Sequence, residues 1–123
     1  MFKSKTSAIG AIGEDLACDF LIKKGYKILK RNYWKPWGEL DIIAKDRDGV
    51  IVFVEVKAMR RLPANSDLQP EDNLTRAKLI KLKRTAELFV SSRPELVDEE
   101  RGYQIDLLAI VLEPFQISHY ENV

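Results

Sequence analysis

The stretch "GELDIIAKDRDGVIVFVEVK", Gly38 to Lys57, decides the fold. It reads as two apolar strands joined by a turn. Leu40, Ile42 and Ala44 on one strand and Val50, Val52, Val54 and Val56 on the next are uniformly apolar at even positions, so they are expected to share one buried face. If even residues face the same way on both strands, paired positions must sum to an even number. That excludes a two-residue Asp48-Gly49 turn and leaves a three-residue loop, "RDG", with Gly49 at the left-handed position of a type I turn plus glycine bulge. The loop pairs Asp46 with Val50, and counting outward places Asp41 opposite Glu55.

Directly opposed side chains have Cβ atoms about 4.5 to 5.5 Å apart. Two carboxylates about 5 Å apart repel by roughly 3 kcal/mol at an effective dielectric near 20. Something positive is needed there. Lys57 lies on the same odd-numbered face, and a divalent cation would turn the repelling carboxylates into ligands. Ile43, Ile51 and Phe53 make the turn-proximal end of that face apolar, whereas Glu39, Asp41, Glu55 and Lys57 gather at the far end. Two readings stand at this point: a buried face ending in a polar site, or charges decorating an exposed face of the hairpin. Phe53 and the alternating valines weigh against full exposure.

Working outward, Ser7 to Lys24 has helical periodicity, with Ile9, Ile12, Leu16, Ala17, Phe20 and Leu21 on one face, Ser7 as N-cap and Gly25 as the stop. "YKILKRNY" reads as a first strand, followed by a turn enforced by Pro36 and Gly38. Met59 to Asn73 carries two prolines and no period, which predicts a long mobile loop. A second helix over Leu74 to Val90 aligns Leu79, Leu82, Ala86, Phe89 and Val90. "YQIDLLAIVL" and "FQISHY" complete the strands. The order predicts one domain over residues 1–123 of α/β or α+β type, with a mixed sheet of about five strands flanked by helices. Pattern alone does not decide strand order.

Composition bounds the function. With 46% hydrophobic and 32% charged residues and a formal net charge of +1, attraction to a polyanion must come from local clustering. Cys18 is the only cysteine, which excludes an intrachain disulfide and a cysteine-rich zinc site and favours a reducing compartment. His119 is the only histidine, so general-base chemistry by histidine would rest on it alone. No apolar run approaches a membrane span and no secretory signal is evident, so a cytoplasmic protein with no membrane partner is expected.

Lys23, Lys24, Lys27, Lys30, Arg31 and Lys35 fall in a short window interleaved with Tyr33, Trp34 and Trp37. Cations there can neutralise phosphates and aromatics can stack on unpaired bases. For the tryptophans, packing of the turn against the sheet is the preferred reading. Lys78 lies at the edge of the second helix's apolar stripe, as Glu14 lies at the margin of the first. On the helix alone, Glu14 reads as an exposed glutamate. Asp106, in "QIDLLAI", reads as a buried structural partner.

A glutamate in the first helix, then an aspartate, then E-x-K on the next strand resembles the PD-(D/E)xK nuclease superfamily, the restriction-endonuclease-like fold. The blocks "AIGEDLACDFLIKKGYKILKRNY", "GELDIIAKDRDGVIVFVEVKAMR", "LTRAKLIKLKRTAELFV" and "YQIDLLAI" more closely resemble the YraN (UPF0102) family, which is similar to archaeal Holliday junction resolvases. The resemblance runs from about Ile9 to Ile110. It implies Asp41 and Glu55 as ligands of magnesium or manganese with the Val56 carbonyl, Lys57 as the catalytic lysine, Glu14 as an added acid at the metal or its water shell, and an approach of Lys78 to the site. The proline that names the superfamily motif is Leu40 here, and Ala58 stands where serine or threonine is frequent; neither change removes a ligand.

The leading expectation is therefore a metal-dependent endonuclease hydrolysing DNA phosphodiester bonds, at branched or recombination and repair structures by analogy, with Arg31, Trp34, Lys35 and Lys78 contacting nucleic acid. A homodimer is one option, because cutting two strands favours a symmetric pair. The alternatives are a non-catalytic nucleic-acid-binding or partner-docking module on the same fold, and a domain that binds only protein.

Overall fold

The computed structural model describes residues 7–62 and 74–123. Helix α1 spans Ala8–Lys23, strand β1 Lys27–Lys35, β2 Gly38–Lys45, β3 Ile51–Met59, helix α2 Arg76–Ser92, β4 Tyr103–Val111 and β5 Gln116–Tyr120. The strands form one sheet in the order β1-β2-β3-β4-β5. β3 and β4 run parallel and the other neighbours antiparallel. A parallel pair needs a crossover, and α2 lies within it. This is a mixed five-stranded α/β sheet flanked by two helices, as expected, and is consistent with the restriction-endonuclease-like fold. No helix among the described residues is long and apolar enough to cross a membrane.

The hairpin follows the parity argument. Ile42 pairs with Val54, Ile43 with Phe53 and Ala44 with Val52, all summing as the three-residue loop requires. The Asp46 N–H donates to the Val50 carbonyl at 2.9 Å, Asp46 Oδ1 accepts from the Asp48 and Val50 amides, and Gly49 takes φ +84°. That left-handed value is why glycine stands there.

Each sheet face carries a core. α1 covers Ile42, Ala44, Val52, Val54, Leu108 and Ile110. α2 covers Leu40, Ile43, Ile51, Phe53 and Ile105, using Leu79, Leu82, Ala86, Phe89 and Val90 as its periodicity predicts. Leu40 corrects the even-face expectation, because it packs with the α2 cluster while Ile42 packs with α1. The β2–β3 ladder ends at Ile42 and Val54, and past that pair alternation no longer dictates the face.

Both helices begin on side-chain caps. Ser7 Oγ accepts the Gly10 N–H at 2.9 Å and Thr75 Oγ1 the Lys78 N–H at 3.2 Å. α1 ends in a Schellman motif, with Tyr26 N–H on the Leu21 carbonyl and Gly25 N–H on that of Ile22. Its apolar stripe is rotated from expectation: Gly13, Glu14, Ala17, Cys18 and Leu21 are buried, while Ile12 is 47% exposed. Gly13 lies so close to Ala58 of β3 that a Cβ there would overlap the alanine methyl. The helix therefore seats on its small residues. Met59, first in the expected 59–73 loop, ends β3, and residues 63–73 of that loop lie outside the described residues.

Candidate functional site

Asp41 stands one residue beyond the last β2–β3 pair. Its Oδ2 accepts the Val56 N–H at 2.9 Å, so a carboxylate takes over an amide that ladder pairing leaves open. This contact fixes Asp41 beside Glu55, and the two side chains are hydrogen-bonded to each other. Beside Asp41 the Glu55 carboxyl is held well above the usual carboxylate range, at about 9. Burial is the largest cause, followed by the charge of Asp41 and the shared bond; Lys78 opposes the shift, and Glu39 adds a smaller push upward.

The pair opens into a groove of about 390 Å³ between the β1–β2 turn and α2. Trp34, Lys35, Glu39, Asp41, Glu55, Lys78 and Lys81 line it. Five residues picked from the sequence, Asp41, Glu55, Trp34, Lys35 and Lys78, thus meet in one place. The turn is held firmly. Tyr33 packs edge-on against Phe89 with ring centroids 5.2 Å apart, and Gly38 abuts Thr85 of α2 so closely that a Cβ would strike the threonine hydroxyl. Trp37 departs from the preferred packing reading, being 50% exposed. A two-residue turn that sets Gly38 against α2 turns its neighbour's indole outward.

The remaining picks lie elsewhere. Lys57 is half-buried and shares the strand face of Glu55 by alternation, since Val56 and Ala58 pack toward α1. It does not line the groove. Val56 contributes the amide that Asp41 accepts. Glu14, expected from the helix alone to be exposed, is 5% exposed on the α1 side. Arg31 Nε lies 3.5 Å from it, while Arg31 Nη2 donates to Asp15 at 2.7 Å. Arg31 is therefore held by α1 acids and does not line the groove.

A second polar group lies on the α1 face. Asp106 is fully buried and accepts from His119 Nε2 at 2.7 Å, Gln104 Nε2 at 2.9 Å and the Asn122 amide at 2.9 Å. His119 Nδ1 meets Lys24 Nζ at 2.8 Å. Asp106, His119 and Glu121 each offer one ligand atom within 4.8 Å of the others, a group that could hold a metal ion. Sequence reasoning gave Asp106 a structural partner without finding His119. The only signal was the β4–β5 pairing, Leu108 with His119, which requires a strand order that periodicity does not supply.

The chain matches the model of the "Uncharacterised protein family UPF0102" over residues 13–110. It is 32% identical over 125 residues to a UPF0102 protein of Corynebacterium efficiens, covering 98% of this chain and 95% of that protein. A UPF0102 protein of Syntrophomonas wolfei is 41% identical over 116 residues, covering 93% and 95%. One from Campylobacter jejuni is 41% identical over 114 residues, covering 93% and 91%.

Proposed function

The chain belongs to the UPF0102 family, and from that membership and the groove chemistry we propose that it is a divalent-metal-dependent endonuclease acting on DNA phosphodiesters. The observation that carries this reading is the Asp41–Glu55 pair, two adjacent carboxylates lining a groove that also presents Lys35, Lys78 and Lys81. Two carboxylates this close make a position where positive charge is favoured. A set of hard oxygens suits magnesium or manganese, and Asp41, Glu55 and the Val56 carbonyl are the groups that would hold the ion. Such an ion supplies charge stabilisation to the phosphate.

The chain's own groups do the rest. Asp41 and Glu55 fix the acidic floor, and the Val56 amide keeps Asp41 aimed. Lys35, Lys78 and Lys81 neutralise phosphates flanking the scissile one. Lys57, next along the strand face, is the lysine assigned to stabilise charge developing at the reacting phosphate. Glu14 takes no part in the chemistry, because its carboxylate faces Arg31.

A cleavage screen of linear, flapped and four-way DNA with magnesium and with manganese tests the proposal. The expected result is metal-dependent cutting that falls by about 10²-fold or more in Asp41→Asn and in Lys57→Ala. Full activity in both purified variants would remove the proposed site. Lys57's position outside the groove lining favours one second reading, a non-catalytic nucleic-acid-binding module. Its signature is salt-sensitive DNA binding, unchanged in Asp41→Asn, with no cleavage under either metal.

A further inference from the structure

Large apolar side chains stand exposed at several places, among them Ile22, Ile80 and Phe115. One of them, Trp37, adjoins the groove. Its chain neighbours Pro36 and Gly38 line that groove, while the indole itself does not. Lys35 pairs with Gly38 across the two-residue turn, and both supports of the turn, Tyr33 on Phe89 and Gly38 on Thr85, come from α2. An aromatic face on a braced turn loses little conformational freedom when it is covered, and leaving so large a ring half in water forgoes the gain of burying it.

The cations of the adjoining groove suit a polyanion. Lys35, whose Nζ lies 5.6 Å from the Tyr33 ring centroid, joins Lys78 and Lys81 on the groove wall. Phosphates tracked by that wall would carry their bases past the turn. A paired base hides both faces in its stack, whereas an unpaired one offers a face to an indole.

We infer that the Lys35–Gly38 turn is a stacking platform on which Trp37 takes the face of an unpaired DNA base, while Lys35 and Lys78 hold the adjoining phosphates. The inference rests on the groove being a DNA site, and it gives that site a preference for DNA with single-stranded character. Trp37 is a specificity residue in this account, with no part in the chemistry. Stacking of this kind is worth about tenfold in affinity per base.

The test separates the platform from the nuclease. In EDTA, where no cutting occurs, Trp34→Phe leaves Trp37 as the only indole. Its emission is expected to be quenched saturably by an oligo-dT single strand and far less by a blunt duplex of equal length. Trp37→Ala is expected to lower the ratio of single-strand to duplex affinity about tenfold, with Trp37→Phe restoring most of it. Unaltered Trp37 emission with single strand, or an unchanged ratio in Trp37→Ala, overturns the platform. An emission change that follows protein concentration alone assigns the turn to self-association and also overturns it. If quenching and ratio behave as expected but no metal supports cleavage, the platform stands and the catalytic reading falls. If cutting of flapped over duplex DNA is equally preferred by wild type and Trp37→Ala, the platform falls and the nuclease stands.

Discussion

Glu55 is the residue on which the site's energetics turn. Its carboxyl is raised to about 9 by burial, then by Asp41 and the bond they share. A folded value above the ordinary one means that the native state keeps a proton which the unfolded chain releases near pH 4.5. The associated stability is complete below that point and is lost as pH climbs toward 9. The metal-free chain should therefore weaken across this window, by about 1–3 kcal/mol once solvent screening of a half-buried group is allowed for. Glu55→Gln keeps a donor to Asp41 and cannot ionise, so its stability should stay flatter over the same range. Urea unfolding at pH 5, 7 and 9 in EDTA measures both, and parallel pH slopes would refute the assignment. Parity alone places Asp41 opposite Glu55 and demands a positive partner. The positive group the structure brings is Lys78 from α2, a helix whose docking no strand pattern encodes. Lys57 shares the face of Glu55 by alternation, but alternation does not say how far along a strand a groove extends.

Among the elements, the hairpin was the most legible and α1 the least. Strand parity is a two-way choice, and the "RDG" loop admits one answer. Helical periodicity instead weights side chains by apolarity, and so it put Ile12 on the buried stripe. Gly13 carries no hydrophobic weight, yet its missing Cβ lets α1 settle onto Ala58. Leu40 departs from the even face for a related reason: alternation holds only as far as the ladder, which stops at Ile42. Gly13→Ala should thus destabilise the protein by about 1–3 kcal/mol through overpacking, although alanine is the better helix former by about 1 kcal/mol. Ala58→Gly frees the same space, so the two changes should couple favourably by about 1 kcal/mol or more in a double-mutant cycle. Strict additivity in denaturant unfolding would show that the close approach of helix and strand is not what Gly13 serves.

At the scale of the whole molecule, strand order lay beyond the sequence because a parallel neighbour is reached only through a crossover, and its destination depends on packing distant segments together. That packing gives the C-terminal end of the chain its anchor. Asp106 on β4 is fully buried, and its oxygens receive His119 from β5, the Asn122 amide beyond it and Gln104 from its own strand. Lys24, just past the end of α1, meets the other histidine nitrogen, so one carboxylate links helix, inner strand, edge strand and tail. His119→Ala leaves one oxygen of a buried carboxylate without its donor, a change expected to cost about 2–4 kcal/mol. His119→Gln, which can present an N–H to the same oxygen, should recover a large part. Urea unfolding at pH 7.5 gives the global cost, and amide exchange distinguishes its origin: β5 should lose protection before β2 and β3, because Asp106 holds β5 through His119 and touches neither β2 nor β3 by hydrogen bond. Uniform loss across the sheet, or a His119→Ala cost below about 0.5 kcal/mol, would mean that the ladder between β4 and β5 holds the edge strand without this clamp.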